Sequence, residues 1–346
     1  MNNTILWWGR SDINYSRNRI IINLLKELGH QIIFFNPTIS LLGHYEAIIK
    51  VKVTPNLVWV PCFRHRDINS AFIWCKKNNV PLIFDPLISS WDKIINEKKY
   101  FKKNSKKSIK LKIKERDILK KADLIIADTE AHKKFFIQNF NVPKNKVEVV
   151  FVGAESKSFK PLKKNSHIKK EILFYGSFLK LHGIETLIKA SNICENNNLK
   201  WTFIGSKEKF KGYINSQKIN IEDTIKYELL PQRIANADIL LGIFGKSQKA
   251  NNVIPNKVYQ SLACGKPVIT RYANSYPKKV LEKKNSGIFF VDPNKPQQII
   301  EVINKLFSSE QFLKKSGINA RKTYLQYFSD RILKNQLNKL FIKLKI

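Results

Sequence analysis

A lysine at the start of a predicted helix is the residue whose position most clearly suggests binding chemistry. The helix is predicted over residues 256–264, with Asn256 as its N-cap and Lys257 in its first turn. A cation is unfavourable there because the helix dipole is positive at its N-terminus, whereas a bound phosphate would balance both charges. Gln260 follows one turn later, close to the same face, and can hydrogen-bond hydroxyl groups. The alternative is an exposed lysine in a lysine-rich chain.

A second turn combines glycines with a histidine and suggests anion binding less strongly. The strand predicted over residues 172–175 runs into Gly176, and Gly183 opens the next helix beside His182. Backbone N–H groups at a helix start lack intrahelical partners and favour an anion. Glycines also occur in ordinary tight turns, so a purely structural role stays open.

Alternating strands and helices must position these turns, and the hydrophobic pattern predicts two series of them. Each series indicates a Rossmann-like α/β domain with a parallel sheet, in which ligands bind beyond the carboxyl ends of the strands. The predicted strands are residues 5–8, 31–35, 57–60, 81–84, 124–127, 147–152, 172–175, 201–204, 239–243, 268–270 and 287–291. The predicted helices are residues 20–28, 70–78, 129–140, 184–194 and 256–264, a helix within the basic segment 98–121, and a helical tail over 296–346.

The domain boundaries follow from this alternation. An N-terminal domain is predicted over residues 1–156, and a polar, lysine-rich linker over 157–170. A C-terminal domain is predicted over 171–325, followed by a last helix over 326–346.

The net charge of +35, from 62 Lys and Arg against 27 Asp and Glu, has three explanations. Lysine-rich bulk composition is one, an anionic membrane surface is the second and nucleic acid is the third. Residues 98–121 favour the membrane surface, because they contain twelve basic residues and only two acidic ones, interspersed with isoleucine and leucine. A solvated helix face is the alternative for this segment.

Cysteine usage and hydropathy bear on the compartment. The four cysteines form no C-x-x-C pair and, with the histidines, no zinc spacing, which favours a reduced cytosolic compartment. No basic segment precedes an apolar run at the N-terminus, so no signal peptide is predicted. No apolar stretch reaches the ~18 residues that a membrane helix needs.

Four segments, in order and spacing, resemble glycosyltransferase family 4, the group 1 enzymes with the GT-B fold. The most specific is A-D-I-L-L-G-I-F followed by V-I-P-N-K-V-Y-Q-S-L-A-C-G-K-P-V-I, over residues 237–244 and 253–269. The other segments are residues 122–130, 147–161 and 172–184. The resemblance covers about residues 120–300, and the N-terminal half more loosely. It implies two Rossmann-like α/β domains whose parallel sheets face a central cleft.

The resemblance implies donor-site roles, and the chain departs from the family pattern at several of them. The Arg and Lys that usually hold the donor diphosphate fall at Ser177 and His182, and the E-x7-E carboxylates fall at Asn252 and Gln260. Gln260 can still bond ribose hydroxyls, while the diphosphate is expected to rely on Lys257, His182 and helix-start amides. The expected donor-binding residues are Gly176, Ser177, His182, Asn252, Asn256, Lys257 and Gln260.

On the acceptor side, the catalytic histidine of the family follows the strand that corresponds to residues 81–84, where this chain has Asp85. Asp85, Asp92 and His65 are the catalytic candidates, because each could contact or activate the acceptor hydroxyl. Asp85 is alternatively an ordinary strand-end residue that bonds local amides. The last helix is expected to cross back to the N-terminal domain, or else to end the C-terminal one.

These expectations describe a hexosyltransferase-type, retaining glycosyltransferase that uses a UDP- or GDP-sugar, with no metal and no further cofactor. Its acceptor is expected to be a lipid-linked glycan in cell-surface polysaccharide or glycoconjugate synthesis. The protein is expected to be cytoplasmic and peripheral on the inner face of the membrane, held by residues 98–121. The changed motif positions also fit a non-catalytic GT-B binding or partner subunit. No specific nucleic acid is expected, because the chain lacks a matching module.

Overall fold

The computed structural model describes residues 2–165, 170–213 and 218–346. Contacts divide the chain into two compact units, residues 1–152 with 330–346 and residues 153–329. The segment predicted as a linker, 157–170, belongs to the second unit, and its residues 166–169 lie outside the described residues. No helix in the described ranges is long and apolar enough to cross a membrane.

A six-stranded parallel sheet forms the centre of the first unit. Its strands are β1 Thr4–Trp8, β2 Gln31–Phe35, β3 Leu57–Val60, β4 Leu82–Phe84, β5 Leu124–Ala127 and β6 Val147–Val149. The order across the sheet is β2-β1-β3-β4-β5-β6, so that the direction of winding reverses at β1. The strands are almost continuously apolar because helices cover both faces of a parallel sheet.

Helices of the first unit pack in two layers. They are α1 Ser16–Glu27, α2 Gly43–Lys50, α3 Ile68–Asn78, α4 Ser90–Asp92, α5 Lys106–Lys121, α6 Glu130–Phe140 and the C-terminal helix Asp330–Leu344. Helices α2, α3, α5 and α6 lie side by side, whereas α1 packs against the C-terminal helix. Right-handed crossovers explain the division, because only the β1-to-β2 connection runs in the opposite direction along the sheet.

Local sequence sets where several of these helices begin. The Ser105 side chain accepts a hydrogen bond from Ser108 N at the start of α5, and Thr129 caps α6 through His132 N. Trp8, Trp74, Phe84 and Phe136 are among the buried residues that fill the core between the sheet and the α3 layer.

The second unit contains another six-stranded parallel sheet, in the order β12-β11-β10-β7-β8-β9. Its strands are β7 Glu171–Tyr175, β8 Lys200–Ile204, β9 Ile219–Glu222, β10 Ile239–Leu241, β11 Val268–Arg271 and β12 Ile288–Val291. Its helices are α7 Ile184–Ile193, α8 Lys207–Phe210, α9 Leu230–Asn236, α10 Gln248–Asn252, α11 Asn256–Ala263, α12 Lys278–Leu281, α13 Pro296–Leu306 and α14 Glu310–Tyr327.

The predicted fold class, α/β with two parallel sheets, is confirmed, and the differences are local. Strand β6 ends at Val149 rather than at residue 152, because the carbonyls of Val150 and Phe151 accept hydrogen bonds from Arg17. The pattern missed β9 and the helices α2, α4, α8, α9, α10 and α12, each of which is eight residues long or shorter. The predicted helical tail consists of three helices separated at residues 307–309 and 328–329.

Candidate active site

The turn after β7 passes directly against two of the predicted site residues. Gly176 follows the strand with a φ of +149°, a conformation that residues with a side chain rarely adopt. A Cβ atom at this position would lie 2.9 Å from His182 Cε1 and 3.1 Å from Lys257 Nζ. A glycine is therefore needed here for both side chains to approach the strand exit.

Backbone hydrogen bonds hold the rest of this turn against the exit of β10. Phe244 N donates to His182 O at 2.9 Å, and Gly245 N donates to Leu181 O at 3.0 Å. Gly183 begins α7 with a φ of +64°, and a side chain there would overlap the backbone of Phe244. The position of His182 is thus set by two strand exits, β7 and β10.

The His182 side chain is buried and neutral. Its Nδ1 accepts a hydrogen bond from Leu179 N at 3.2 Å, which places the proton of the neutral ring on Nε2. Burial, and secondarily the nearby Lys257, lowers the pKa of His182 to about 2. His182 can therefore contribute one N–H donor to an anion site, but no positive charge.

Lys257 is buried, and its amine has no counter-ion in the part of the chain that the structure describes. Its residue is only 5% exposed, and Nζ lies 3.7 Å from the centroid of the Phe174 ring. Among the described residues no acceptor lies within hydrogen-bonding distance of Nζ. Burial lowers the pKa of Lys257 well below its usual value. The alternative of an exposed lysine is wrong, because the residue is buried.

The start of α11 differs from the prediction. Pro255 occupies the N-cap position in an extended conformation, and Asn256 is the first helical residue, half-buried and without a capping role. The predicted N-cap at Asn256 is therefore wrong, because the helix begins at Asn256 itself, one residue earlier than that assignment requires. Lys257 remains in the first turn, where the helix dipole favours an anion.

Gln260 and Asn252 are both buried and already engaged through their oxygens. The Tyr175 hydroxyl donates to Gln260 Oε1 at 2.8 Å, and Gln248 Nε2 donates to Asn252 Oδ1 at 3.1 Å. Since Gln260 Oε1 accepts the Tyr175 hydroxyl, the amide Nε2 of Gln260 is the group that does not take part in this bond. Ser177, in contrast, is exposed.

In the first unit, Asp85 follows β4 and forms a buried ion pair. Arg17 Nε donates to Asp85 Oδ2 at 2.8 Å, and Arg17 Nη1 donates to the carbonyls of Val150 and Phe151 at 2.8 and 2.7 Å. Both side chains are at most 2% exposed. Burial raises the pKa of Asp85, and Arg17 opposes that effect. This arrangement favours a structural role, because the carboxylate holds the arginine that organises the end of β6.

His65 lies beside a buried carboxylate that the sequence did not reveal. His65 Nε2 is 3.8 Å from Glu115 Oε1, and Glu115 accepts hydrogen bonds from Ser90 N and Trp91 N at the start of α4. Burial lowers the pKa of His65 to about 4 and raises that of Glu115 to about 7. Asp92 lies in α4 and accepts a hydrogen bond from Asn96 Nδ2 at 2.6 Å.

The structure thus brings together Gly176, His182 and Lys257, with Phe174 beneath the amine. Sequence reasoning missed Arg17 and Glu115, because both lie within helices where charged residues are ordinarily exposed. The one available signal for Arg17 was its position at the start of a helix without an acidic residue in the first turn. In the described ranges no cluster of three or more His, Cys, Asp or Glu could hold a metal ion.

Comparison with known sequences gives a family match that lies within the second unit. Residues 155–323 match the family described as "Glycosyl transferases group 1". The uncharacterized glycosyltransferase MJ1069 of Methanocaldococcus jannaschii is 24% identical over 242 residues, covering 66% of this chain and 60% of that protein. Spore coat protein SA of Bacillus subtilis is 26% identical over 227 residues, covering 58% and 59%. The matches thus span about three-fifths of these relatives' length.

Comparison with solved structures identifies the fold. Sucrose-phosphate synthase from Thermosynechococcus elongatus aligns with a TM-score of 0.74 at 14% identity, covering 99% of both chains. HepE of Anabaena, in complex with UDP and glucose, aligns with a TM-score of 0.69 at 14% identity, covering 98% of this chain and 99% of HepE. At such identities the likeness shows the fold alone, and this chain has the GT-B fold.

Proposed function

The second unit of this chain carries a group 1 glycosyltransferase domain, and on that premise we propose how the protein works. It transfers a hexose from a UDP- or GDP-sugar to a glycan acceptor, with retention of configuration at the transferred sugar. The donor diphosphate binds at the turn after β7 and the start of α11. The acceptor is lipid-linked and is used at the cytoplasmic face of the cell membrane.

Lys257 is the observation that carries this proposal. A diphosphate leaving group carries negative charge, and a buried cation stabilises it better than an exposed one because water does not screen the interaction. The Lys257 amine is buried, has no partner among the described residues and lies against the strand exit at Gly176. A diphosphate beside Nζ would raise the pKa of Lys257 again, so that the amine is charged while the nucleotide is bound.

Neutral groups around the amine suit the remaining parts of a nucleotide sugar. The Nε2–H of His182 can donate to a phosphate oxygen, and the first turn of α11 adds its dipole. Gln260 offers its Nε2 donor to a ribose hydroxyl oxygen, because Tyr175 already occupies its acceptor. The changed family positions are therefore compatible with donor binding through one cation and several neutral donors.

His65 and Asp92 remain the candidates for acceptor contact in the first unit. His65 lies in a short 3-10 helix after β3 and Asp92 lies in α4 after β4, at the carboxyl edge of the sheet where α/β folds bind ligands. Asp85 is not assigned a chemical step, because its carboxylate is held by Arg17.

Thermal unfolding with UDP, GDP, ADP and CMP tests the donor site. A nucleotide at ~100 times its Kd should stabilise the protein by about 2.7 kcal/mol, and UDP or GDP should do so selectively. Lys257→Met should lose this shift, whereas the matched change Lys278→Met, at a lysine whose side chain is 86% exposed, should keep it. An unchanged shift in Lys257→Met would contradict the assignment of the diphosphate to Lys257.

A non-catalytic partner subunit is the second candidate function. The exposed Ser177, the neutral His182 and the amides of Asn252 and Gln260 replace charged groups of the family pattern. Detection of sugar transfer or donor hydrolysis by the purified chain would exclude this candidate. Nucleotide binding without either reaction, restored to transfer only by a second protein, would favour it.

A further inference from the structure

The first unit exposes an unusual apolar segment between β2 and β3. Seven large hydrophobic side chains between residues 39 and 53 are each 43–70% exposed. They are seven of the 21 exposed large hydrophobic side chains found in the described residues, although they come from only 15 positions. We call this set the α2 surface; its members are Ile39, Leu41, Leu42, Tyr45, Ile48, Ile49 and Val53.

Helix α2 turns its small residues toward the protein and its large ones toward solvent. Only Gly43 and Ala47 are buried in this helix. A Cβ atom at Gly43 would lie 3.0 Å from Ser70 Oγ and 3.2 Å from Trp8 Cζ2, so a larger residue could not face inward there. This orientation is the reverse of an ordinary surface helix, whose large apolar residues face the core. Contiguous exposed apolar residues of this kind mark an interaction surface.

A strongly basic helix lies in the same layer as α2. Helix α3 packs between α2 and α5, so that all three cover one face of the sheet. Of the two acidic residues between 98 and 121, Glu115 is buried and Asp117 contacts Arg116. Ile109 and Ile113 are 50% and 43% exposed, one turn apart on α5. The exposed lysines beside them are Lys106, Lys107, Lys110 and Lys114.

The acidic residue of α2, Glu46, is paired with Lys50 and hydrogen-bonded by the segment before the helix. Glu46 accepts hydrogen bonds from Thr38 N and Ile39 N at 2.9 and 3.1 Å, and from Lys50 Nζ at 2.9 Å. The α2 surface therefore carries no free negative charge of its own from Glu46. Its apolar side chains and the lysines of α5 complement a surface that is negatively charged outside and apolar beneath.

We propose that this face of the first unit docks on an anionic lipid bilayer, with the α2 surface inserted among the headgroups and the α5 lysines bound to lipid phosphates. Apolar insertion and electrostatic attraction together give stable binding where either alone is weak. The basic segment 98–121 therefore acts with α2 rather than alone.

The same surface borders the strand exits of the first unit. Arg64 Nη2 donates to Ser40 Oγ at 3.2 Å, and Ser70 Oγ donates to Ser40 O at 2.6 Å. These bonds place the start of the α2 surface beside the loop after β3, where Phe63 is 46% exposed. A lipid-linked acceptor could thus reach this loop without leaving the bilayer. Only this last step rests on the proposed function.

Vesicle flotation of the full-length protein tests the proposal. Wild type should float with vesicles of phosphatidylcholine and phosphatidylglycerol, and much less with phosphatidylcholine alone. Ile48→Glu with Ile49→Glu should lower binding by about tenfold or more at physiological salt, because two charges then oppose insertion. The matched control is Ile342→Glu, at an isoleucine 75% exposed on the C-terminal helix, which belongs to the other helix layer.

Several outcomes would overturn the proposal. Vesicle binding by the double variant equal to that of wild type would do so, and so would an equal loss in Ile342→Glu. A different result would assign the surface to a second copy of the chain. In that case the wild type would not bind vesicles but would self-associate in light scattering, and the double variant would be monomeric. Nucleotide-induced stabilisation, measured on the same variants, separates this test from the donor site and confirms that they are folded.

Discussion

Each unit buries an ionisable side chain near the end of a strand, and the two side chains differ in whether the protein supplies an oppositely charged partner. In the first unit Asp85 is matched by Arg17, whose guanidinium also satisfies two backbone carbonyls. In the second unit Lys257 is also buried, but among the described residues its amine lies near the rings of Phe174 and Tyr175 and has no hydrogen-bond acceptor. The two charges of the first unit pair with each other, although Asp85 Oδ1 and Arg17 Nη2 have no further partner among the described residues. The amine of the second unit has no charged partner in the same described ranges.

The difference distinguishes a structural ion pair from a binding site. A buried charge is costly unless it is paired, so an unpaired amine is retained only where something else compensates it. The resemblance places Asp85 where the family pattern has its catalytic histidine, yet the surroundings of this carboxylate are those of a buried ion pair. Asp85 is therefore weaker evidence for a binding site than Lys257 is.

Asp85→Ala should have the largest effect on stability. Removing one partner of a buried pair leaves Arg17 unpaired, and we expect the free energy of unfolding of the first unit to fall by about 3–5 kcal/mol. Urea unfolding would measure this loss. Glu282→Ala breaks an exposed pair with Lys278 and should change stability by less than about 1 kcal/mol. A stable but inactive Asp85→Ala would instead favour a direct chemical role.

Gly176→Ala should come next and should affect both stability and binding. The φ of +149° is strained for alanine, and the new methyl group would press on His182 and Lys257. We expect a loss of about 1–3 kcal/mol and no stabilisation by UDP or GDP. Gly212→Ala is the matched control, because a Cβ atom there meets nothing within 4 Å. Full nucleotide binding by Gly176→Ala would show that the site lies elsewhere.

Lys257→Met should stabilise the protein while it removes nucleotide binding. Methionine fills the same space over Phe174 without a buried amine, so the free energy of unfolding should rise by about 1–2 kcal/mol in the absence of nucleotide. Thermal unfolding near neutral pH measures this gain. A destabilised variant would mean that the amine is already compensated in the free protein.

Nucleotide affinity should fall as pH rises. The pKa of Lys257 is lowered in the free protein and is raised again beside a diphosphate, so binding takes up a proton between these two values. Calorimetry with UDP between about pH 7 and 9, in buffers of different ionisation enthalpy, should detect up to one proton per site. Binding without proton uptake would mean that the amine is charged in both states or in neither.

The His65–Glu115 pair should have the smallest net effect on the pH dependence of wild-type stability, because the contributions of the two residues have opposite signs. Glu115 has its pKa raised from 4.5 to about 7, so its contribution to stability falls as pH rises through that range. His65 has its pKa lowered from 6.5 to about 4, so its contribution rises with pH between those values. These contributions nearly cancel between the two ordinary pKa values.

Single variants should reveal the separate contributions of Glu115 and His65 to the pH dependence of stability. Relative to wild type, Glu115→Gln should become more stable as pH rises from about 5 to 6, and His65→Gln should become less stable, each by about 1.4 kcal/mol per pH unit at most. Unfolding at several pH values measures both slopes. Equal slopes in wild type and both variants would show that neither pKa is displaced.

Local sequence features predicted much of the fold because they act over short distances. Apolar runs indicated eleven of the twelve strands, and the missed β9 is a short edge strand with polar positions. Lys257 was correctly placed in a first helical turn, since its neighbours determine that helix. The cap at Asn256 was wrong because an asparagine signal cannot distinguish the residue before a helix from its first residue.

Local patterns in the amino-acid sequence were sufficient to predict the order of most strands and helices, the GT-B class and the position of Lys257 relative to a helix start. Tertiary structure decided which polar groups meet, as in the pairs Arg17–Asp85 and Tyr175–Gln260, separated by 68 and 85 positions. It also decided that Lys257 is buried and that the large residues of α2 face outward. Burial removes water, so each polar group must find a partner in space, and neighbours along the chain do not specify that partner.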